Sequence, residues 1–583
     1  MTTPIVLTFA RSGHDTARRI AALLGAELRL DPPSESVPQA FAQRRPIIGV
    51  CAAGILIRLL APHLGDKSGE PPVLAVSQDG TQIVPLLGGH HGANRLARTL
   101  AEQLGATAAL TTASDARFAR GLDEPPFGYH LANPAAAKPA MAALLAGAAI
   151  RLSGTAPWLA EAGYPIAPDG TVAVTVTHQA GAGEGLVFHP KTLLAGIGCE
   201  RHTPADEIID LVTATFAQAG LALDSLAGLA SIELKADEPG LLAAARHFGV
   251  PVRFFSAAEL AAERDRLVNP SAIVEAETGT PGVSEACALK AGTLLVPKRK
   301  SRRATCAIGL APAPIDPATL GRAPGQLHIV GIGPGDAPTR TASAVAALRA
   351  SGDWVGYGLY LDLVSDLRQG QAEHRFPLGD EEPRVRHALE LAATGKTVAL
   401  ICSGDAQIYA MAALVYELLA ATGPRALTDA ARRVGVDSHP GISALQAASA
   451  RAGALIGHDF CAISLSDLLT PRADILKRLD AAAQGDFVTA LYNPRSLRRT
   501  DLIETAKAVF LAHRPPQTPV LIATSLGRPE ERVRLVSLDA FDPTEIDMLT
   551  IVLIGASTSV SFVRPSGHPA AFTPRGYAKK STP

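Results

Sequence analysis

Short apolar runs that alternate with helix-period segments are the feature of this 583-residue chain that most limits its fold. Runs such as 46–52, 193–198 and 397–402 are rich in Val, Ile and Leu, and each leads through a turn into a segment of helical periodicity. This alternation is typical of parallel sheets joined by crossover helices. Because 583 residues exceed the size of a single hydrophobic core, the sequence predicts an α/β protein with several open α/β domains.

The composition argues against several classes of protein. The formal net charge is −1 and 4% of the residues are aromatic, which disfavours a nucleic-acid partner. The six cysteines form no CxxC pair, so neither a metal site nor a disulfide framework is expected. The apolar run 548–563 is too short and too rich in Ser and Thr to span a bilayer. We therefore expect a cytoplasmic protein with no membrane partner.

Changes in composition predict the domain boundaries. Residues 311–325 contain four prolines, and because proline fixes φ and lacks an N–H, this stretch is predicted to be an extended linker. The predicted segments are 1–124, a middle or linker region at 125–190, 191–310, the linker 311–325, 326–436, 437–565 and a frayed tail at 566–583.

Four turns follow apolar runs in the block 326–565, near residues 331, 403, 440 and 492. Because the carboxyl ends of parallel strands meet at one sheet edge, these turns predict a single ligand-binding crevice. The first turn has the pattern G-x-G-x-G-D, which differs from the dinucleotide fingerprint G-x-G-x-x-G. Its Asp336 places negative charge where a pyrophosphate would lie, so a nicotinamide oxidoreductase is disfavoured.

The same four turns carry a family resemblance. GIGPGD, SGDAQIY, PGISA and Tyr-Asn-Pro stand at 331–336, 403–409, 440–444 and 492–494. Together they closely resemble the motifs of the tetrapyrrole (corrin/porphyrin) methyltransferases. Within that family, residues 457–471 and the segment around Tyr-Asn-Pro are most similar to the precorrin-3B C17-methyltransferases, which also contract the ring. Ala406 departs from the family, since many relatives have proline there.

The resemblance implies a two-lobed fold with S-adenosylmethionine in the cleft between the lobes, a precorrin substrate and a homodimer formed through this half. The residues it implies for cofactor binding are Pro334, Gly335, Asp336, Ser403, Gly404, Asp405, Ala406, Ile408, Ser443, Ala444, Tyr492, Asn493 and Thr550.

Ring contraction needs a general acid and a general base, whereas methyl transfer needs mainly alignment. The candidates for proton transfer are His439, His458, Asp459 and Tyr409, and each of them also fits a structural role. The carboxylates of a precorrin could be bound in forked geometry by Arg495, Arg498 and Arg499. The alternative for these three arginines is a solvated helix face.

The first half of the chain has a second set of motifs. GGHHGAN lies within 86–106, TTASD at 111–115, GIGC at 196–199, GTPGVSEACAL at 279–289 and KSRRAT at 300–305. In this order they resemble the cobalt-precorrin-5A hydrolase family, which opens a lactone and expels a two-carbon aldehyde. The chain departs from that family at residues 198–202, where GCERH replaces the common GCRRG.

Lactone opening requires an activated water, and the candidates implied for this step are His91, Asn94, Cys199 and Glu285.

A metal is disfavoured, because adjacent histidines cannot share one helix face and no third ligand follows at metal spacing. Residues 298–303 contain five basic side chains, which fit either a polycarboxylate ligand or a solvated edge.

The sequence therefore predicts a methyltransferase that uses S-adenosylmethionine, fused to a hydrolase-like module, with both acting in corrin-ring construction. Two alternatives stay open. The first half could be a non-catalytic module that binds intermediates, or both halves could act on the cobalt-containing rings of the oxygen-independent route.

Overall fold

Six β-sheets and the helices between them make up the described part of the chain, which confirms the predicted α/β class. The computed structural model describes residues 3–30, 33–65, 69–111, 117–181, 183–496 and 500–577. It forms two compact units, Met1–Ala323 and Pro324–Pro583, with three sheets in each. None of the helices in the described ranges combines the length and apolar character needed to cross a membrane.

The first sheet has six strands, and four helices pack against its two faces. The strands are β1 (Ile5–Thr8), β2 (Glu27–Arg29), β3 (Ile47–Val50), β4 (Val73–Val76), β5 (Gln82–Leu87) and β6 (Thr107–Ala108), and the helices are α1 (His14–Leu24), α2 (Pro33–Ala42), α3 (Ala53–Leu60) and α4 (Ala93–Leu104). The strand order is β2-β1-β3-β4-β5-β6, with only β4 and β5 antiparallel. The aliphatic strands β1, β3 and β4 are buried throughout, because α1 and α4 cover one face and α2 and α3 the other.

A second sheet occupies most of the segment 125–190. Its elements are β7 (Tyr129–Leu131), α5 (Ala137–Leu145), β8 (Ile150–Ser153), α6 (Pro157–Glu161), β9 (Val172–Val176) and β10 (Leu186–Pro190). The strand order is β7-β10-β9-β8. Trp158 and Phe188 pack edge to face in its core. The region expected as a middle or linker region therefore carries a folded sheet with its own hydrophobic core.

The third sheet has the order β13-β12-β11-β15-β14, in which β15 is antiparallel to both neighbours. Its strands are β11 (Leu193–Cys199), β12 (Leu226–Ile232), β13 (Val252–Phe255), β14 (Thr293–Lys300) and β15 (Ala304–Leu310). Its helices are α7 (Ala205–Gln218), α8 (Pro239–Phe248), α9 (Ala257–Ala261), α10 (Ala272–Thr278) and α11 (Val283–Leu289).

Helix α11 is buried at all seven positions and lies directly on the third sheet. A Cβ added at Gly196 would lie 1.9 Å from Ser284 O, and one at Gly309 would lie 1.8 Å from Ala288 O. The helix can therefore approach the two central strands only because both carry glycine at the contact.

The proline-rich segment 311–325 differs from the expected extended linker. Arg322 and Phe254 exchange two backbone hydrogen bonds of 2.8 and 2.7 Å. The guanidinium of Arg253 donates to several carbonyl oxygens of the same segment. The segment therefore packs against the first unit as far as Ala323 through backbone groups of its non-proline residues.

The fourth sheet, in the second unit, is entirely parallel, with the order β18-β17-β19-β16-β20. Its strands are β16 (Gln326–Gly331), β17 (Asp353–Tyr357), β18 (Ala372–Phe376), β19 (Thr397–Cys402) and β20 (Gly435–His439). The connecting helices are α12 (Ala342–Ala350), α13 (Gly358–Asp362), α14 (Glu381–Ala393) and α15 (Ala412–Ala420).

The rest of the second unit contains a five-stranded sheet of order β22-β23-β26-β24-β25 and a three-stranded sheet of order β21-β28-β27. The strands are β21 (Gly453–Ala454), β22 (Phe460–Ser464), β23 (Val488–Tyr492), β24 (Pro519–Thr524), β25 (Arg532–Ser537), β26 (Thr550–Ile554), β27 (Val560–Val563) and β28 (Pro569–Phe572). The helices are α16 (Ala444–Ala452), α17 (Arg472–Gln484) and α18 (Asp501–His513).

The contact between α11 and the third sheet makes a prediction for Gly309→Ala. The added methyl group would overlap a backbone carbonyl, and such overpacking costs about 1–3 kcal/mol. We expect the thermal unfolding midpoint of the first unit to fall, as measured by calorimetry. Gly65→Ala is the matched control, since its Cβ would meet no atom within 4 Å. Equal midpoints for the two variants would contradict the close contact.

Candidate functional site

Three loops touch at the carboxyl edge of the parallel sheet. Strand β16 ends at Gly331, and the loops after β19 and β20 place Gly404 and Gly441 beside it. A Cβ at Gly331 would lie 2.7 Å from both Gly404 O and Gly441 N, and one at Gly441 would lie 2.1 Å from Gly404 O. The loops meet because Gly331 and Gly441 have no side chain.

Asp405 holds these loops together through its carboxylate. One oxygen accepts a hydrogen bond from the N–H of Gly441 at 3.1 Å, and the other accepts from Gln407 at 2.8 Å. Next to it, Gly404 and Gly333 exchange backbone hydrogen bonds of 2.8 and 3.1 Å. The loops after β16, β19 and β20 therefore form one hydrogen-bonded layer.

Tyr492, at the end of β23, connects the five-stranded sheet to this layer. Its hydroxyl lies 2.5 Å from Ser443 Oγ and accepts a hydrogen bond from Leu445 N at 3.1 Å. Burial raises the pKa of Tyr492 above its ordinary value, so the phenol stays protonated at neutral pH. Its hydroxyl and that of Ser443, which is 2% exposed, therefore share one hydrogen bond in which either oxygen can be the donor.

The loop 334–336 meets the loop after β24. A Cβ at Gly335 would lie 3.0 Å from Gly527 O, so the two backbones are in direct contact. At the end of β24, Thr524 Oγ1 lies 2.9 Å from Oγ1 of Thr550, which is 5% exposed. These contacts add the start of β26 to the same edge.

All thirteen residues predicted for cofactor binding occupy these connected loops or the start of β26. We call the set formed by 331–336, 403–409, 440–444, 492–493 and 550 the loop cluster. Each member either makes one of the contacts above or lies within four residues of one that does. The sequence had placed these segments in one crevice, and the geometry brings their backbones together.

The four candidates for proton transfer lie in different places. Tyr409 belongs to the loop cluster, and its ring centroid lies 5.2 Å from that of Tyr492. It has a positive φ of 52°, a strained conformation that is common at functional sites. By contrast, His458 pairs with Asp459 at 3.3 Å on an exposed loop before β22. His439 faces a histidine of the neighbouring strand at 3.1 Å.

The three arginines predicted for substrate binding are only partly described. Arg495 is half-buried and donates to Pro543 O at 2.8 Å, which ties it to the protein backbone. Arg498 and Arg499 lie outside the described residues, so their assignment stays a prediction.

A cavity of about 660 Å³ lies in the first unit, at the carboxyl ends of β11 and β12. Helix α11 and the hairpin of β14 and β15 form its other walls. Six cationic and two acidic residues line it, namely Arg201, Lys235, Lys298, Lys300, Arg302 and Arg303, with Glu200 and Glu277. Four of the five basic residues in the run 298–303 therefore face this cavity.

Cys199 lines the same cavity, but its thiol is not a nucleophile at neutral pH. Burial raises the pKa of Cys199 to about 11 and outweighs the cations around it. Because the thiolate is the reactive form, the predicted catalytic role of Cys199 needs a state of the site that the structure does not show.

Glu285 holds the wall of the cavity in place instead of facing a water. Its carboxylate is 1% exposed and accepts hydrogen bonds from the N–H groups of Val268, Asn269 and Lys298 and from the Asn269 side chain, all at 2.8–2.9 Å. Burial acts to raise the pKa of Glu285, but these bonds outweigh it and lower the pKa. With four donors bound, the carboxylate anchors this wall, and its assignment to the activation of water stays a prediction.

Lys235 is a residue of this cavity that the motif analysis missed. Its ammonium group is largely buried, and its nearest carboxylate oxygen belongs to Glu238 at 3.8 Å. Burial lowers the pKa of Lys235. The signal that could have found it is its position just after the apolar run that forms β12, at the same sheet edge as Cys199.

The histidine turn of the first sheet lies outside this cavity. His91 is exposed in a short 3₁₀ turn, 89–91, and its N–H donates to Gly88 O at 2.9 Å. Asn94 follows in the first turn of α4. The motif 111–115 lies almost wholly outside the described residues. Within the described ranges, no group of three or more His, Cys, Asp or Glu side chains could hold a metal ion.

Comparison with known families covers both units. The family described as tetrapyrrole (corrin/porphyrin) methylases matches residues 326–542. The N-terminal and C-terminal parts of cobalamin synthesis G match residues 35–115 and 193–309. The basic cavity lies mainly within the last of these matches.

Individual relatives match less than half of this chain. A cobalt-factor III methyltransferase of Priestia megaterium is 41% identical over 258 residues, which are 44% of this chain and 46% of that protein. A precorrin-3B C(17)-methyltransferase of a Sinorhizobium species is 39% identical over 258 residues, 44% of this chain and 99% of that protein. The crystal structure of the methyltransferase CobJ is 36% identical and covers 43% of this chain and 100% of its own, with a TM-score of 0.40. This chain thus spans about half the length of the Priestia protein.

The raised pKa of Cys199 makes a prediction for its alkylation. Since only the thiolate reacts, a pKa of about 11 means that the rate rises about tenfold per pH unit from pH 7 to pH 10. Peptide mass spectrometry after timed treatment with iodoacetamide measures this rate. A plateau below pH 9 would contradict the prediction and restore Cys199 as a reactive thiol.

Proposed function

Because the chain belongs to the tetrapyrrole (corrin/porphyrin) methylase family, we propose that its second unit transfers a methyl group from S-adenosylmethionine to C17 of a precorrin-3B-type ring. The observation that carries this proposal is the meeting of three motif loops at the carboxyl edge of a parallel sheet, where Tyr492 of the fourth motif joins them. Such an edge is where open α/β sheets bind their ligands.

The loop cluster has the shape and chemistry to hold the methyl donor. A Cβ at Gly404 would meet no atom nearer than 3.9 Å, so the space beside this loop is not filled by a side chain. Asp405, Ser443 and Tyr492 fix the surrounding loops by hydrogen bonds within the protein. When bound, S-adenosylmethionine supplies a methyl group already activated on a sulfonium.

The residues of the cleft then have two tasks. The loop cluster orients the two reactants, since methyl transfer depends mainly on alignment. Tyr409 is the proton-transfer candidate that belongs to the loop cluster. Burial raises its pKa, which keeps the phenol protonated, and its hydroxyl donates to Ala462 O at 2.8 Å. We assign it the role of the acid for ring contraction in place of His458, which lies on an exposed loop.

Methyl transfer is tested with the full chain, S-adenosylmethionine and either metal-free precorrin-3B or cobalt-factor III. We expect precorrin-3B to gain one methyl group and to show a ring-contracted absorption spectrum, followed by mass spectrometry and optical spectroscopy. Turnover of cobalt-factor III alone would move the protein to the cobalt-containing route. Transfer to neither ring would overturn the proposed reaction.

The same assay tests the loop cluster with Asp405→Asn. The NH₂ group of the new amide would face one of the two N–H groups that now donate hydrogen bonds to Asp405. Because one charge-assisted hydrogen bond would be lost, we expect S-adenosylmethionine to bind about tenfold more weakly. Asp437→Asn is the matched control, since Asp437 lies on β20 and bonds only the Gln326 side chain among the described residues. Equal affinities for the two variants would remove Asp405 from the donor site.

We further propose that the first unit is a hydrolase-like module that acts on the lactone of a cobalt-precorrin-5A-type ring. Its support is the match of both parts of cobalamin synthesis G. The full chain is expected to release a two-carbon aldehyde from that substrate, trapped as a hydrazone for mass spectrometry. Cys199→Ser should keep at least half of this activity, because the thiol is neutral. Binding without aldehyde release would make the first half a non-catalytic module.

A further inference from the structure

The cavity of the first unit has a strong excess of positive charge. Its lining contains six cationic side chains against two acidic ones, although the whole chain has a net charge of −1. One of the acids, Glu200, is already paired with Arg303 at 3.1 Å. Such a concentration of cations in a concave site is unfavourable unless a ligand supplies the missing negative charge.

The cations of this cavity fall into two groups. Arg201, Arg303 and Lys298 are held by the protein. Arg201 bonds Asp237 and a carbonyl, Arg303 bonds Glu200 and two carbonyls, and the ammonium of Lys298 donates to Asn269 O at 2.7 Å. For Lys300 and Arg302, the described residues provide no hydrogen bond and no ion pair within 4 Å. These two exposed side chains are thus available to a ligand.

Lys235 belongs with the available cations, but it lies deeper. Its side chain is 14% exposed and makes no hydrogen bond to any described residue. The Glu238 oxygen nearest to it also lies 3.8 Å from Arg201 and has no hydrogen-bond partner. A buried ammonium group without an acceptor is costly, and a ligand oxygen in the cavity would provide one.

We propose that this cavity binds a polycarboxylate macrocycle, with Lys235 paired to one ligand oxygen at depth and Lys300 and Arg302 paired to carboxylates near the opening. A volume of about 660 Å³ lies within the usual range for ligand sites. Glu285 supports the arrangement, since it binds the N–H of Lys298 and so fixes the wall that carries these cations. The inference rests on the proposed function only for the type of macrocycle.

Protection of Cys199 from alkylation tests this proposal with a readout inside the cavity. The probe is uroporphyrin, which carries eight carboxylates, added to the full chain at pH 9 before iodoacetamide. We expect uroporphyrin to slow the alkylation of Cys199 at least tenfold and to leave that of Cys461, in the second unit, unchanged. High salt should weaken the protection, because exposed ion pairs are screened.

Two neighbouring residues of β14 provide the matched pair of variants. Lys300 lines the cavity, whereas Arg299 is not in its lining and contacts Gln218. Lys300→Glu should raise the uroporphyrin concentration for half-protection at least tenfold, while Arg299→Glu should change it less than twofold. Both replacements change the net charge by the same amount. Equal changes in the half-protecting concentration would therefore show that uroporphyrin is attracted only by the overall charge, and would overturn the proposed site.

Lys235→Met tests the deeper position. We expect it to weaken protection at least tenfold, whereas Lys235→Arg, which keeps the positive charge beside the buried Glu238 carboxylate, should weaken it less than threefold. Both variants are compared well below their unfolding midpoints. Protection is measured without turnover, so loss of aldehyde release with protection retained would point to failure of the proposed hydrolase and not of this site, and methyl transfer by the second unit should be the same in all these variants. Absence of any protection in the unaltered chain would overturn the proposal.

Discussion

The contact between Gly331, Gly404 and Gly441 is the constraint on which the second unit's cleft depends. Three backbones can cross at van der Waals distance only where side chains are missing. Their closeness lets the single carboxylate of Asp405 bond two loops, and Tyr492 then adds the end of β23. A ligand site at this edge is thus built from backbone groups that the glycines allow to approach one another.

The third sheet uses glycine in the same way for a different purpose. Gly196 and Gly309 let the short helix α11 lie on the strands, and that position carries Glu285 to the back of the basic cavity. There its carboxylate collects four hydrogen bonds. In both units, therefore, a carboxylate orders the site by accepting hydrogen bonds from N–H groups, although Glu285 is buried and Asp405 is partly exposed.

The electrostatics of the two sites are opposite in kind. The loop cluster is built from hydroxyl, amide and carboxylate groups, which suits the positively charged sulfonium proposed there. The cavity of the first unit concentrates lysine and arginine, which suits carboxylates. A chain with a net charge of −1 can contain both kinds of site, because positive side chains are concentrated in one place and negative ones elsewhere. The net charge of the whole sequence does not reveal this distribution.

The sequence by itself predicted the α/β class, the strand at 397–402, which the structure reproduces as β19, and the glycine turns that meet in the loop cluster, because apolar periodicity and glycine turns are local signals. The alternation at 171–178 corresponds to β9, but the sequence did not reveal that this strand belongs to a four-stranded sheet or that Lys235 lines a cavity. Nor did it show that the Glu285 carboxylate is bound by four donors, since a carboxylate that anchors a wall and one that activates water look alike in a motif. Only the tertiary structure decided these points, because burial, pKa and hydrogen-bond partners depend on residues distant in the chain.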